Sequence, residues 1–295
     1  MADNVSSAAD APSPAPKEEV ADEVAADDAS DEDVPWCEDE TIVEEFKRLI
    51  RESGGTPLHL AALNNDTAAI RKLVSEGANI DAQTSEAGSV GSLSGGRLTP
   101  LHVAAAMQRD DAALLLLELG ADPTIVSGYR DTALHLAVSN GDYRLTEALV
   151  RARGVDINAL QGIGMTSLAL ASLAPDSTKL MRLLLEAGSD PDARDEHGNT
   201  PLHVVNNSEA CRLLLEAGAD PMARDKDGGT PLHYAHNADV CRLLLDAGAD
   251  PNALDDEGHT PLQLIRRDEV RQVMLDAGAQ PMEPLPEEGC DLEED

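Results

Sequence analysis

Between residues 54 and 280 apolar and polar positions alternate in a pattern that repeats itself. GNTPLHVVNNSEACRLLLEAGADP (198–221) returns thirty residues later as GGTPLHYAHNADVCRLLLDAGADP (228–251). In each copy Thr can cap a helix through its hydroxyl, and Pro follows where its missing N–H is no loss. Leu and small residues then predict a short first helix. The ACRLLLEAG stretch predicts a second helix with a buried Leu stripe, ended by a glycine in the left-handed region. The Asp-Pro and Asp-x-x-Gly residues that follow favour a turn into the next unit. A two-helix unit of this kind is too thin to bury its apolar face alone, so it must stack on neighbours.

The T-P-L-H tetrad recurs in seven registers, starting at Thr56, Thr99, Thr132, Thr166, Thr200, Thr230 and Thr260 as TPLH, TPLH, TALH, TSLA, TPLH, TPLH and TPLQ, with spacings of 43, 33, 34, 34, 30 and 30. Glycine stops follow at Gly77, Gly120, Gly154, Gly188, Gly218, Gly248 and Gly278. On these residues the chain resembles the ankyrin-repeat family, whose period near 33 and T-P-L-H-x-A core it reproduces over residues 54–280. The resemblance implies an all-α solenoid of about seven helix-turn-helix repeats and a concave protein-binding face.

Within this frame the irregular segments carry information. TIVEEFKRLIRES (41–53) predicts one amphipathic helix, with Ile42, Val43, Phe46, Leu49 and Ile50 on a face suited to capping the first repeat. A partner-binding helix on an acidic arm is the rival reading. A Gly/Ser-rich insertion of about ten residues falls within 84–96 and predicts a loop. The last three repeats span 18 residues from Thr to Gly, against 21 or 22 before, so the first helix or the turn after it must be shorter there. Gln263 and the arginines Arg266, Arg267 and Arg271 make the last unit polar, as a terminal unit with a solvated face requires.

Composition adds two constraints. Trp36, Phe46, Tyr129, Tyr143 and Tyr234 are the only aromatic residues, so Leu and Ala must form the core, which suits thin layers. Net charge is −34, with fourteen acidic residues in 1–40 and seven in 281–295. Such a field repels nucleic acid and anionic membrane and favours a basic protein partner, although acidic tails also serve solubility alone. Both tails, 1–40 and 281–295, hold too few large apolar groups to offset the entropy of ordering, and disorder is expected. No apolar run long enough to span a membrane and no secretory leader is seen, which points to a cytoplasmic or nuclear protein.

Candidate chemistry is sparse. The evenly spaced His59, His102, His135, His203 and His233 suggest metal binding, but equivalent positions in adjacent layers lie roughly 8–10 Å apart, whereas zinc holds its ligands at about 2 Å. The resemblance implies instead that these histidines bond backbone between layers. The same spacing argues against a Cys211–Cys241 disulfide. No G-x-x-x-x-G-K-[ST], H-E-x-x-H or G-x-S-x-G occurs. Neither catalysis nor a cofactor is expected.

What the resemblance implies for binding falls on turn tips and first helices. On the first helices these are Met107, Gln108 and Arg109. Tips in the middle of the stack supply Tyr129, Arg130, Asp131, Gln161 and Met165. Later tips supply His197, Asn199, Arg224, Lys226, Asp255, Asp256, Glu257 and His259. Tyr129, Met107 and Met165 are the expected exposed anchors, since aromatics and Met are enriched at interface centres. The expected function is that of a monomeric, non-enzymatic interaction module, an adaptor, scaffold or regulatory subunit. The alternative is a chaperone or escort for a basic client such as a ribosomal protein or histone.

Overall fold

Each repeat opens on a threonine in extended conformation, as at Thr99 with φ −89° and ψ 165°, and the chain turns helical at the next residue. The computed structural model describes residues 40–85, 96–174 and 177–281. Helix α1 (Glu40–Glu52) leads seven pairs. These are α2 (Pro57–Leu63) with α3 (Thr67–Ser75), α4 (Pro100–Ala106) with α5 (Asp110–Glu118), α6 (Ala133–Ser139) with α7 (Tyr143–Arg151), and α8 (Ser167–Leu173) with α9 (Thr178–Glu186). Then come α10 (Pro201–Val204) with α11 (Ser208–Glu216), a 3₁₀ turn (Pro231–Tyr234) with α12 (Ala238–Asp246), and α13 (Pro261–Leu264) with α14 (Asp268–Asp276). The described residues contain no strand.

The first-helix histidine joins adjacent repeats. His102 Nδ1 accepts from the Thr99 amide at 3.3 Å and lies 2.8 Å from the Thr99 hydroxyl, so its protonated Nε2 donates to the Asp131 carbonyl at 3.0 Å. This is a capping box with His where Glu or Gln usually stands. The link recurs from His59 to Leu98, His135 to Ala159, His203 to Gly229 and His233 to His259, at 2.9–3.3 Å. Burial pushes His102 and His135 down to about 4, so both are neutral at physiological pH. Ala169 holds this position in the fourth repeat, where the imidazole link is missing.

One apolar cluster runs from Phe46 in α1 to Ala279 beyond α14. Leu214 and Leu244, on the second-helix stripe, are fully buried, as are the thiols Cys211 and Cys241. Burial raises those thiols to about 12 and about 11, which makes them unreactive. Helix α1 packs on α2 and buries Phe46 and Ile50.

The shortening in the last three repeats falls on the first helix. It has seven residues in repeats one to four and four residues in repeats five to seven. Three residues are nearly one helical turn, so the capping threonine and the second helix keep their places while the intervening turn is lost. The two tails and most of the 84–96 insertion lie outside the described residues.

Candidate functional site

Tips between repeats are built by a polar side chain that accepts backbone amides of its own turn. Ser127 Oγ accepts from Tyr129 N at 3.2 Å and Asp131 N at 3.0 Å. Gln161 Oε1 accepts from Ile163 N at 3.2 Å. In the later tips an aspartate does the same: Asp195 for His197 and Asn199, Asp225 for Asp227 and Gly229, Asp255 for Glu257 and His259, all at 2.8–3.0 Å. Asp255 therefore holds its own tip, and Asp256 and Glu257 are the exposed acids there.

Neighbouring tips stack closely. A Cβ at Gly162 would collide with the Tyr129 carbonyl oxygen, so glycine is needed for the third tip to lie against the second. Backbone bonds join Lys226 N to His197 O and Asp256 N to Asp227 O, each at 2.9 Å. Side chains join the later tips as well. Arg224 pairs with Asp256 at 3.2 Å and Arg194 donates to Arg224 O, while within single tips Arg194 also donates to Gly198 O and His259 stands 3.4 Å from Asp255. Much of the polar set in repeats five to seven is thus engaged internally. His197 and Lys226 present exposed side chains.

The middle of the stack differs. Tyr129 is 45% exposed and Ile163 is 56% exposed, on adjacent tips. Between them and α6 lies a recess of about 260 Å³, lined also by Ala106, Asp131, Leu136, Ser139, Asn140 and Gln161. Arg130 is exposed beside Tyr129, with φ of 64°. Gln108 Nε2 donates to Asn140 O at 3.4 Å and Arg109 Nε to Leu63 O at 3.0 Å, bracing the first-helix ends that border this surface.

The expectation that Met107 and Met165 are exposed anchors is corrected. Met107 is fully buried and Met165 is 9% exposed. Met107 shares its register with the exposed Asn64 and the half-buried Asn140, but its flexible thioether folds into the layer between repeats. Met165 immediately precedes the buried Thr166, and its carbonyl closes the tip by accepting from Gln161 N at 3.0 Å. Ile163 is a large exposed apolar side chain that sequence reading missed. Its signal was a bulky apolar residue flanked by glycines in QGIGM, where the other tips carry polar residues.

Two larger recesses, of about 450 and 730 Å³, border the shortened repeats. The larger carries opposed charges on its walls, with Arg242 paired with Asp239 at 2.7 Å, and Arg267, which lines both, donates to His236 O at 3.2 Å. They lack the exposed aliphatic and aromatic pair found at the middle tips.

Comparison with known proteins agrees with this architecture. The family described as Ankyrin repeats (3 copies) matches residues 37–127, 134–225, 168–255 and 204–283. Human neurogenic locus notch homolog protein 2 is 34% identical over 176 residues, covering 53% of this chain and 7% of that protein. The mouse B-cell lymphoma 3 protein homolog is 31% identical over 168 residues, covering 54% of this chain and 35% of that protein. The chain thus spans only a minor part of these relatives. Among solved structures, the ankyrin repeat domain of Bcl-3 has a TM-score of 0.63 at 29% identity, covering 76% of this chain and 99% of that one. The human ASB11 ankyrin repeat domain has a TM-score of 0.59 at 26% identity, covering 77% and 100%.

Proposed function

The chain belongs to the ankyrin-repeat family, and from that premise we propose that it is a non-enzymatic interaction module whose protein partner docks on repeats two to four. The supporting observation is the pair Tyr129 and Ile163, large exposed apolar side chains on adjacent tips with a recess between them. Interface energy concentrates in a few such anchors seated near pockets. The later tips carry exposed Asp227, Asp256 and Glu257, suited to long-range attraction of a basic partner rather than to tight burial.

The net charge of −34 also supports the escort reading, in which the acidic tails shield a basic client. Deleting residues 1–40 and 282–295 separates the two. An escort loses much of its association rate and salt sensitivity, while an adaptor keeps both. In either case the protein acts as a monomer in the cytoplasm or nucleus. Among the described residues no helix is long and apolar enough to cross a membrane.

The test is kinetic. Tyr129→Ala with Ile163→Ala should raise the partner's off-rate, whereas Asp256→Asn with Glu257→Gln should slow association. Asp255 is left intact in this test because its carboxylate holds the tip. Unchanged affinity in the Tyr129/Ile163 variant overturns the reading.

A further inference from the structure

We propose that the recess between the Tyr129 and Ile163 tips is a socket for one arginine side chain of a basic partner. This deepens the docking reading above and rests on it for its biological setting. Size is the first argument. At about 260 Å³ the recess is smaller than the roughly 300–1,000 Å³ of small-molecule sites. It suits a single side chain.

The second argument is the hydrogen-bonding character of the walls. Asp131 is the one acidic residue among the eight that line the recess, and none of the eight is basic. Asn140 directs its amide hydrogens to the carbonyl oxygens of Ala105 and Ala106, both at 3.0 Å, which leaves its oxygen as what it can offer a guest. Gln161 Oε1 already accepts from Ile163 N, and Ser139 adds a hydroxyl that can donate or accept. The Asp131 carboxylate and the Asn140 oxygen favour a guest that brings donors. Guanidinium carries five N–H donors and no acceptor, and a carboxylate or phosphate brings the wrong charge.

The third argument is an unbalanced charge. Asp131 is only 8% exposed, and burial raises its carboxyl to about 6. The Ser127 hydroxyl offsets this in part, and no cation of the described residues contributes. A buried carboxylate without a counter-charge is costly, and a partner's cation would supply one. The flanking Tyr129 ring offers a face for a cation, and the planar, weakly hydrated guanidinium stacks there better than an ammonium. Ile163 and Leu136 can cover the aliphatic stem.

The probe is the blocked pentapeptide Gly-Ser-Arg-Ser-Gly, titrated into the isotope-labelled full chain and followed by amide NMR. Its citrulline twin, equal in shape but uncharged, is the control. Saturable shifts at residues 129–131 and 161–163 are expected with the arginine peptide. Affinity should be at least about tenfold weaker with citrulline, and likewise for arginine on Asp131→Asn. Equal affinity for both peptides, shifts mapping elsewhere, or no saturation up to roughly 10 mM overturns the socket. The citrulline comparison uses the unmodified chain, so it stands even if Asp131→Asn folds poorly. Failure here, with Tyr129→Ala still raising the partner's off-rate, removes the socket and keeps the docking face. Saturation here, with partner affinity indifferent to Tyr129 and Ile163, removes the docking face and keeps the socket.

Discussion

His102 Nε2 lies 3.0 Å from the carbonyl oxygen of Asp131, one of the residues that line the recess between the Tyr129 and Ile163 tips. The bond that locks repeat two onto repeat three therefore also positions one wall of the candidate site. The packing of the stack and the shape of the candidate site are coupled at this point through one backbone segment, 127–131, which Ser127 closes from the other side.

His102→Ala removes the partner of two buried groups, the Thr99 amide and the Asp131 carbonyl. A loss of roughly 2–4 kcal/mol in denaturant unfolding is expected. His102→Gln should recover part of it. Gln263 shows how, since its Oε1 accepts from Thr260 N at 2.8 Å in the last repeat. Equal losses for Ala and Gln would contradict the capping role.

Acidification should destabilise the stack. His102 and His135 have folded values near 4, below the usual 6.5, so the unfolded chain binds more protons between those limits. Their stabilisation is complete above about pH 6.5 and is lost as pH falls toward 4. His59, His203 and His233 are lowered too, through burial, and act in the same direction. Asp142 opposes them. Burial raises its carboxyl to about 6 from 3.8, the Leu145 amide offsets part of this, and Asp110 adds to the rise. Its protonation favours the folded state, a gain present below about pH 4 and lost as pH rises through 6. Asp142→Asn should keep the cap, as Asn207 does with Ala210 N at 2.7 Å. The variant should gain roughly 0.5–1 kcal/mol at pH 8 and fall more steeply on acidification. Thermal midpoints across pH 4–8 check both, and a variant less stable than the parent at pH 8 would contradict the account.

On the outer turns a side chain of one repeat accepts a backbone amide of the next. Asp81 serves Asp122, Asn158 serves Asp190, Asp192 serves Asp220 and Asn252 serves Gln280, at 2.8–2.9 Å. Met222 stands in this row and offers only its sulfur to Asp250 N, at 3.1 Å. Met222→Asn should therefore stabilise by roughly 0.5–1.5 kcal/mol in a denaturant titration. A loss of stability would show that the thioether contributes packing that outweighs the bond.

The repeats were legible because their markers are local. Threonine caps, Pro at the first helical position, and stop glycines such as Gly218, with φ of 92°, each act within one turn of chain. The three-residue deletion was equally plain, and it fell on the first helix. Surface identity was less legible. Met107 and Asn140 share a register, yet one is buried and the other lines the recess, because exposure there depends on how the next repeat seats. Ile163 was overlooked because an apolar residue between glycines reads as loop. Asp255 was expected at the binding surface with Asp256 and Glu257, whereas Asp195, Asp225 and Asp255 fold their own turns.

The docking claim is tested most directly by amide hydrogen exchange on the full chain, free and bound to its captured protein partner. The account predicts slowed exchange at residues 127–131 and 161–165 on binding, with smaller changes at tips 225–229 and 255–259. Protection confined to residues 196–280, with the Tyr129 and Ile163 tips exchanging as in the free protein, would contradict it.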